Sequence, residues 1–162
     1  MNSVALATGA VTMEDLDASL QKATHEVVST MLNYQPVIVP CDMSVLVPGV
    51  SAIVGFGGKV SGALALHIGP ESACTLASCL LGMSFGEVDE IVADAMGEIV
   101  NMLAGGLKKY ACQTEELFKI SIPSIIFGHD YSTHMLKDFE KRTLAVQAGP
   151  CSFVLQLVID LG

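Results

Sequence analysis

The chain has 162 residues, of which 51% are apolar and only 15% are charged. Its 17 acidic residues against 8 basic ones give a formal charge of −9, which argues against nucleic acid as a partner. Apolar runs are all interrupted before the ~20 residues that a membrane-spanning helix needs, and the five cysteines lack disulfide-framework spacing. We therefore expect one cytoplasmic domain over residues 1–162, with a loose lead-in at residues 1–11 and no membrane partner.

The chain begins with the pattern of a helix followed by a pair of strands. Thr12 with Asp15, or Asp17, can cap a helix that runs to about Asn33. The alternating segments Val50–Phe56 and Lys59–Ile68 then predict two strands. Gly57–Gly58 between them predicts a two-residue hairpin turn, because glycine tolerates positive φ. A phosphate-binding loop is less favoured here, since the spacing of that motif is missing.

A second helix is predicted from Glu71 to Leu81. Pro70 suits its first turn, and Gly82 suits its end. Ser84 and Glu87 are spaced as a capping box, which predicts that a third, longer helix starts there.

Strands return after the long helix. Leu117–Ile122 and Ser124–Phe127 are β-like segments separated by Pro123. Thr143–Ala148 and Cys151–Leu161 predict a terminal hairpin, and its last strand is apolar enough to lie centrally or at an interface. Strands joined by short turns predict a mainly antiparallel sheet with helices packed on it, an α+β fold.

The long helix, Glu87–Ala111, has two distinct sides when its residues are placed about 100° apart. The side predicted to be buried carries Ile91, Val92, Ala95, Met96, Ile99, Met102, Leu103 and Tyr110. The opposite side is a narrow polar stripe of Asp94, Glu98, Asn101, Gly105 and Lys108. Asp, Asn and Gly are poor helix-interior residues, so their presence, together with Gly97, indicates that something lies close against this stripe.

The pattern Asp94-x3-Glu98-x2-Asn101, followed by Pro123 in KISIPS, resembles the signature of the CheC/CheX/FliY family of chemotaxis phosphatases. The surrounding DAMGEIVNMLAGGLKK is similar to the CheX members in particular. The resemblance implies a CheC-like α+β fold and removal of phosphate from a CheY-type response regulator. The single copy of the motif also favours CheX over two-site relatives.

The resemblance further implies a role for each motif residue. Asn101 would orient the attacking water in the regulator's active site, and Glu98 would engage the regulator's lysine. Asp94 would support the helix or its docking, and Pro123 would shape the neighbouring strand. Other partner-binding positions are expected at Gly97, Gly105 and Lys108. The chain itself would bind no cofactor or metal, because the Mg²⁺ belongs to the phosphorylated receiver domain. A homodimer that leaves the motif helix free is expected.

Three alternatives stay open at this point. The polar stripe is compatible with an ordinary solvated helix face. A non-catalytic binding module of the same fold, such as a flagellar-switch component or signalling scaffold, would keep the architecture without the chemistry. A metal or thiol enzyme has weaker support, since only Cys74-x4-Cys79 and His129-x4-His134 are paired, and buried structural thiols explain the first pair better. His25 and His67 have apolar neighbours and are predicted to be structural.

Overall fold

The structure, a computed structural model, describes residues 11–41, 49–112, 116–127 and 139–160. Three helices lie in these ranges: α1 (Met13–Met31), α2 (Pro70–Leu81) and α3 (Glu90–Ala111). The strands are β1 (Val37–Pro40), β2 (Val50–Gly58), β3 (Ser61–Ile68), β4 (Phe118–Ile120), β5 (Ser124–Phe127), β6 (Glu140–Ala148) and β7 (Cys151–Asp160). Within the described ranges, no helix has the length and apolar character needed to cross a bilayer.

The strands form one antiparallel sheet in the order β1–β6–β7–β3–β2–β4. The short strands β4 and β5 share one edge, because β4 pairs with the end of β2 and β5 with its beginning. Residues 121–123 join these two strands, and we call them the β4–β5 connection. The predicted α+β fold is confirmed, and β7 lies centrally between β6 and β3.

The core lies between one face of the sheet and the helices. Along β7, Phe153, Leu155 and Leu157 are buried, and so are Val154 and Val158 on the opposite face, as expected of a central strand. Helix α3 contributes the buried side chains of Val92, Met96, Ile99, Val100, Leu103 and Leu107. Helix α1 approaches α3 closely, because a Cβ atom on Gly106 would lie only 2.7 Å from that of Ala23.

The ends of α1 and α2 are fixed by local signals that the sequence displays. The backbone N–H of Asp15 donates to Thr12 Oγ1 at 3.1 Å, and the N–H of Thr12 donates to Asp15 Oδ2 at 3.0 Å. Helix α2 has Pro70 in its first turn and ends at Gly82, whose φ of 69° suits glycine. These predictions are confirmed, although α1 stops at Met31.

Helix α3 begins later than predicted. The carboxylate of Asp89 accepts the backbone N–H of Val92 at 2.9 Å, which makes Asp89 the cap. The predicted capping box of Ser84 and Glu87 is wrong, because the helix starts at Glu90. Both Ser and Asp are favourable caps, so local sequence left two start points open.

The predicted turn at Gly57–Gly58 is also wrong. Strand β2 continues through both glycines, which pair with β4, and the bend to β3 falls at Lys59–Val60. Gly58 has a φ of 150°, and a Cβ atom there would lie 2.8 Å from the carbonyl oxygen of Leu117. Glycine is therefore needed for close approach to β4 rather than for the turn itself.

The two ends of the described chain qualify two further predictions. The terminal hairpin turns at Gly149, with a φ of 61°, as expected, but β6 begins at Glu140. Val11 is half-buried against the core, so it does not belong to a loose lead-in. Residues 1–10 lie outside the described ranges.

Candidate functional site

Three polar side chains lie in line on the outer side of α3. Asp94, Glu98 and Asn101 are all exposed, while their helix neighbours Ala95, Met96, Ile99 and Val100 are buried. The i, i+4, i+7 spacing places them on successive turns of one face. We call these three residues the acid–amide stripe.

The acid–amide stripe makes no contribution to folding that is visible in its contacts. Within the described ranges, no hydrogen bond or ion pair ties the side chains of Asp94, Glu98 or Asn101 to another residue. Their donors and acceptors therefore remain available to a molecule that docks on this face. Two carboxylates and a neutral amide can present charge to a cation and hydrogen bonds to a water.

The β4–β5 connection lies directly against α3 beside the acid–amide stripe. A Cβ atom on Gly97 would lie 2.9 Å from Ile125 Cδ1 and 3.7 Å from Pro123 Cβ. Gly97 is buried by this contact, which gives it a packing role. Its predicted contact with a partner stays a prediction. Pro123 fixes the connection against the helix, next to Glu98.

Ser121, which the sequence analysis did not single out, anchors the other end of this connection. Its backbone N–H donates to the carbonyl oxygen of Gly55 at 2.9 Å, and its Oγ accepts the N–H of Gly55 at 3.0 Å. The connection is therefore fixed to β2 through Ser121 and to α3 through Pro123. The one sequence signal for this edge is the alternation of apolar and polar residues from Phe118 to Ile122, which indicates that one face of the segment is exposed to solvent or to a partner.

Gly105 and Lys108 differ from the acid–amide stripe. Gly105 is exposed, and a Cβ atom there would meet nothing within 4 Å, so space alone does not require glycine. Lys108 Nζ lies 3.1 Å from Glu116 Oε2 and is half-buried. Both residues lie further along the same helix face, and their predicted partner contacts stay predictions.

Two residues expected on the buried side of α3 are instead accessible. Ile91 is 50% exposed, because it lies three residues before Asp94 and so shares the outer face. Tyr110 is half-buried, and its hydroxyl donates to the carboxylate of Glu26 on α1. The prediction that both residues are buried is therefore wrong.

Two of the five cysteines are buried and do not carry a reactive thiolate. Burial is the largest cause that raises the pKa of Cys74, and burial likewise raises the pKa of Cys151 to about 11. Both therefore stay protonated at neutral pH, unlike a catalytic thiolate. Cys79 is exposed on α2.

The same ranges contain no cluster of three His, Cys, Asp or Glu residues that could hold a metal ion. The pair His129 and His134 lies outside them. His67 is buried, as predicted for a structural residue, and its Nδ1 lies 2.6 Å from Ser51 Oγ. Burial lowers the pKa of His67, so its ring is neutral. His25, by contrast, is exposed, and that prediction is wrong.

Comparison with known families identifies this arrangement. The family model for the chemotaxis phosphatase CheX matches residues 50–145. The chain belongs to the CheX family. The matched range contains α3 with the acid–amide stripe and the β4–β5 connection, the two parts that the site is built from.

The curated and structural relatives agree with this assignment. The CheY-P phosphatase CheX of Thermotoga maritima is 33% identical over 82 residues, which cover 48% of this chain and 51% of that protein. The chain thus matches about half the length of this curated relative.

Solved structures share the fold. A CheC-like superfamily protein from Shewanella sp. PV-4 aligns with a TM-score of 0.80 at 19% identity, over 93% of this chain and 99% of that one. The CheX of the CheX–CheY–BeF3–Mg²⁺ complex from Borrelia burgdorferi aligns with a TM-score of 0.77 at 22% identity, over 90% and 97%.

Proposed function

We propose that this chain hydrolyses the aspartyl phosphate of a CheY-type receiver domain. The observation that carries the proposal is the pair Glu98 and Asn101, one turn apart on an exposed helix face and without partners of their own in the described ranges. Membership of the CheX family supports it, and so do the names of a curated CheY-P phosphatase and of a CheX–CheY complex among the relatives.

Asn101 is suited to position the attacking water. An acyl phosphate is hydrolysed when water attacks phosphorus in line, and most of the barrier concerns positioning and charge. A carboxamide can accept one hydrogen bond from the water and donate another to the phosphoryl group without changing its own protonation state. Because Asn101 is exposed on a rigid helix, it can enter a partner's active site without rearrangement of this chain.

Glu98 is suited to dock the partner. Its carboxylate lies one turn from Asn101, where it would pair with the receiver's active-site lysine and fix the register of the helix in that site. Asp94 adds a second negative charge one turn further along. In this proposal the chain itself holds no cofactor, and the Mg²⁺ that offsets phosphoryl charge is bound by the receiver.

Phosphate release from a phosphorylated receiver domain tests the proposal. A substoichiometric amount of this chain should shorten the lifetime of the acyl phosphate and turn over repeatedly. If the chain binds the phosphorylated receiver and leaves its lifetime unchanged, the binding-module alternative is correct. If it neither binds nor accelerates hydrolysis for any of a panel of receivers, the assignment of the partner is wrong.

We further propose that the chain acts in the cytoplasm as a single-domain homodimer whose contact leaves the acid–amide stripe free. The support is the edge strand β1, where Val37 and Val39 are 63% and 50% exposed. An exposed apolar edge is a favourable site for pairing between sheets. Light scattering should give twice the mass of one chain, and a monomer at micromolar concentration would contradict this.

A further inference from the structure

A groove of about 440 Å³ lies beside the acid–amide stripe. Its walls come from the end of α2, the first half of α3, the β4–β5 connection and the start of β5. We call it the apolar groove and define it by Leu81, Ile91, Ile122, Pro123 and Ile125. Asp94 and Glu98 form its remaining wall, so the groove and the acid–amide stripe are one continuous surface.

The groove concentrates apolar side chains that are open to solvent. Ile122 is 87% exposed, Ile91 is 50% exposed and Leu81 is 44% exposed. Single exposed hydrophobic residues are normal on a protein surface, whereas a contiguous group next to a polar site marks a place where another molecule binds.

The backbone on both sides of the most exposed residue, Ile122, is anchored. Before Ile122, Ser121 is hydrogen-bonded to Gly55 of β2. After it, Pro123 packs against Gly97 of α3. Ile122 thus stands at the tip of an anchored connection. A side chain presented in this way loses little conformational freedom on binding, so its burial favours association.

An interface of ordinary size around Glu98 and Asn101 would extend to this groove. Each partner in a standard complex buries roughly 800 Å², a disc with a radius of about 16 Å. Ile91 lies seven residues from Glu98, about 10 Å along the helix axis. An interface of this size centred on Glu98 extends to Ile91, and Ile122 lines the same groove as Glu98 and Ile91.

We propose that the apolar groove is the second half of the docking surface for the receiver domain. Ile122 and Ile91 bind an apolar surface next to the receiver's phosphorylation site, and they supply affinity and selectivity while Asn101 supplies the chemistry. This inference rests on the proposed function. The receiver is the expected partner of the groove because Glu98, which would engage the receiver, also lines the groove.

Binding to a receiver domain activated by beryllofluoride and Mg²⁺ tests this inference separately from catalysis. Ile122→Ser and Ile91→Ser should each raise the Kd about tenfold, which corresponds to about 1.4 kcal/mol. In steady-state hydrolysis the loss should appear in KM rather than in kcat. The matched control is Met31→Ser, because Met31 is 45% exposed at the end of α1, beyond the opposite end of α3.

Each outcome of this experiment supports or overturns the inference. An unchanged Kd for both groove variants, in a protein that still hydrolyses the phosphorylated receiver, overturns the groove assignment and leaves the proposed function standing. Failure of the unmodified chain to bind the activated receiver overturns the proposed function itself. A change in oligomeric state caused by Ile122→Ser would instead assign the groove to a contact between copies of this chain and overturn the inference.

Discussion

Two groups of polar side chains on α3 are used in different ways. At the carboxyl end of the helix, Lys108 Nζ lies 3.1 Å from Glu116 Oε2, and Lys109 Nζ lies 3.4 Å from Glu26 Oε1. The hydroxyl of Tyr110 donates to the other carboxylate oxygen of Glu26. This C-terminal cluster joins α3 to α1 and to the segment that precedes β4.

The acid–amide stripe in the middle of the same helix makes no such contacts within the described ranges. Asp94 and Asn101 are nonetheless costly choices for a helix interior, since Asp and Asn are less favourable there than Ala or Leu. Exposure alone therefore does not distinguish a functional polar residue from one that stabilises the fold. Whether the polar groups are already engaged within the chain distinguishes the two.

Replacement of Asn101 should give the largest effect. Asn101→Ala should lower the rate of receiver dephosphorylation about 100-fold, because the attacking water loses its positioning group. Thermal unfolding should stay within about 0.5 kcal/mol of the unmodified chain, since this is an exposed position. Gln21→Ala, which removes an amide from α1, is the matched control and should keep full activity. A folded Asn101→Ala protein with normal activity would contradict the role of the amide.

Neutralising one glutamate in each group should separate docking from folding. Glu98→Gln should weaken binding of the activated receiver roughly tenfold or more, because it removes a charge that pairs across the interface. Glu26→Gln, the same change in the C-terminal cluster, should leave receiver binding unchanged. Titration of both variants against the beryllofluoride-activated receiver measures the difference. Equal affinities would remove the distinction between the two groups.

A buried titratable group should act on stability alone. Burial lowers the pKa of His67 from its ordinary value of 6.5, so the unfolded chain takes up more protons as the pH falls below about 6.5. Stability should therefore decrease with decreasing pH from that point. His67→Asn should weaken this dependence in thermal melts, while the exposed His25→Asn should retain it. The same slope in both variants would assign the acid sensitivity to other groups.

The smallest effect is expected in the C-terminal cluster. The hydrogen bond from Tyr110 is the largest cause that lowers the pKa of Glu26, which is exposed. A carboxyl group with a lowered pKa stabilises the fold above its ordinary pKa of 4.5, and this contribution is lost as the pH falls. Tyr110→Phe should therefore reduce the melting temperature slightly at pH 7 and not at pH 3, with normal hydrolysis at neutral pH. Loss of activity in this variant would extend the functional surface to this end.

Much of the fold could be predicted because its signals are local. Thr12 and Gly82 mark helix ends through bonds within a few residues, and the apolar character of β7 agrees with its central place in the sheet. The spacing of Asp94, Glu98 and Asn101 placed them on one exposed face, and the structure agrees. Local signals thus placed most of these features correctly, although the predicted helix start at Ser84 was wrong.

Features that depend on distant contacts could not be predicted. Gly97 belongs to the motif but is covered by Ile125, a residue on another element whose approach no local pattern reveals. Gly57–Gly58 has the sequence pattern of a turn, but in the structure both residues pair with β4. Likewise, the anchored and exposed position of Ile122 results from Ser121 meeting β2. The apolar groove is a product of tertiary structure.

The most direct test of the central claim is hydrolysis of a phosphorylated receiver domain in oxygen-18 water, with this chain in saturating amount. The account predicts a decay of the acyl phosphate much faster than that of the receiver alone, with the heavy oxygen in the released phosphate because water attacks phosphorus. An unaccelerated decay, or heavy oxygen in the receiver's aspartate, would contradict the proposal that α3 presents Asn101 to orient that water.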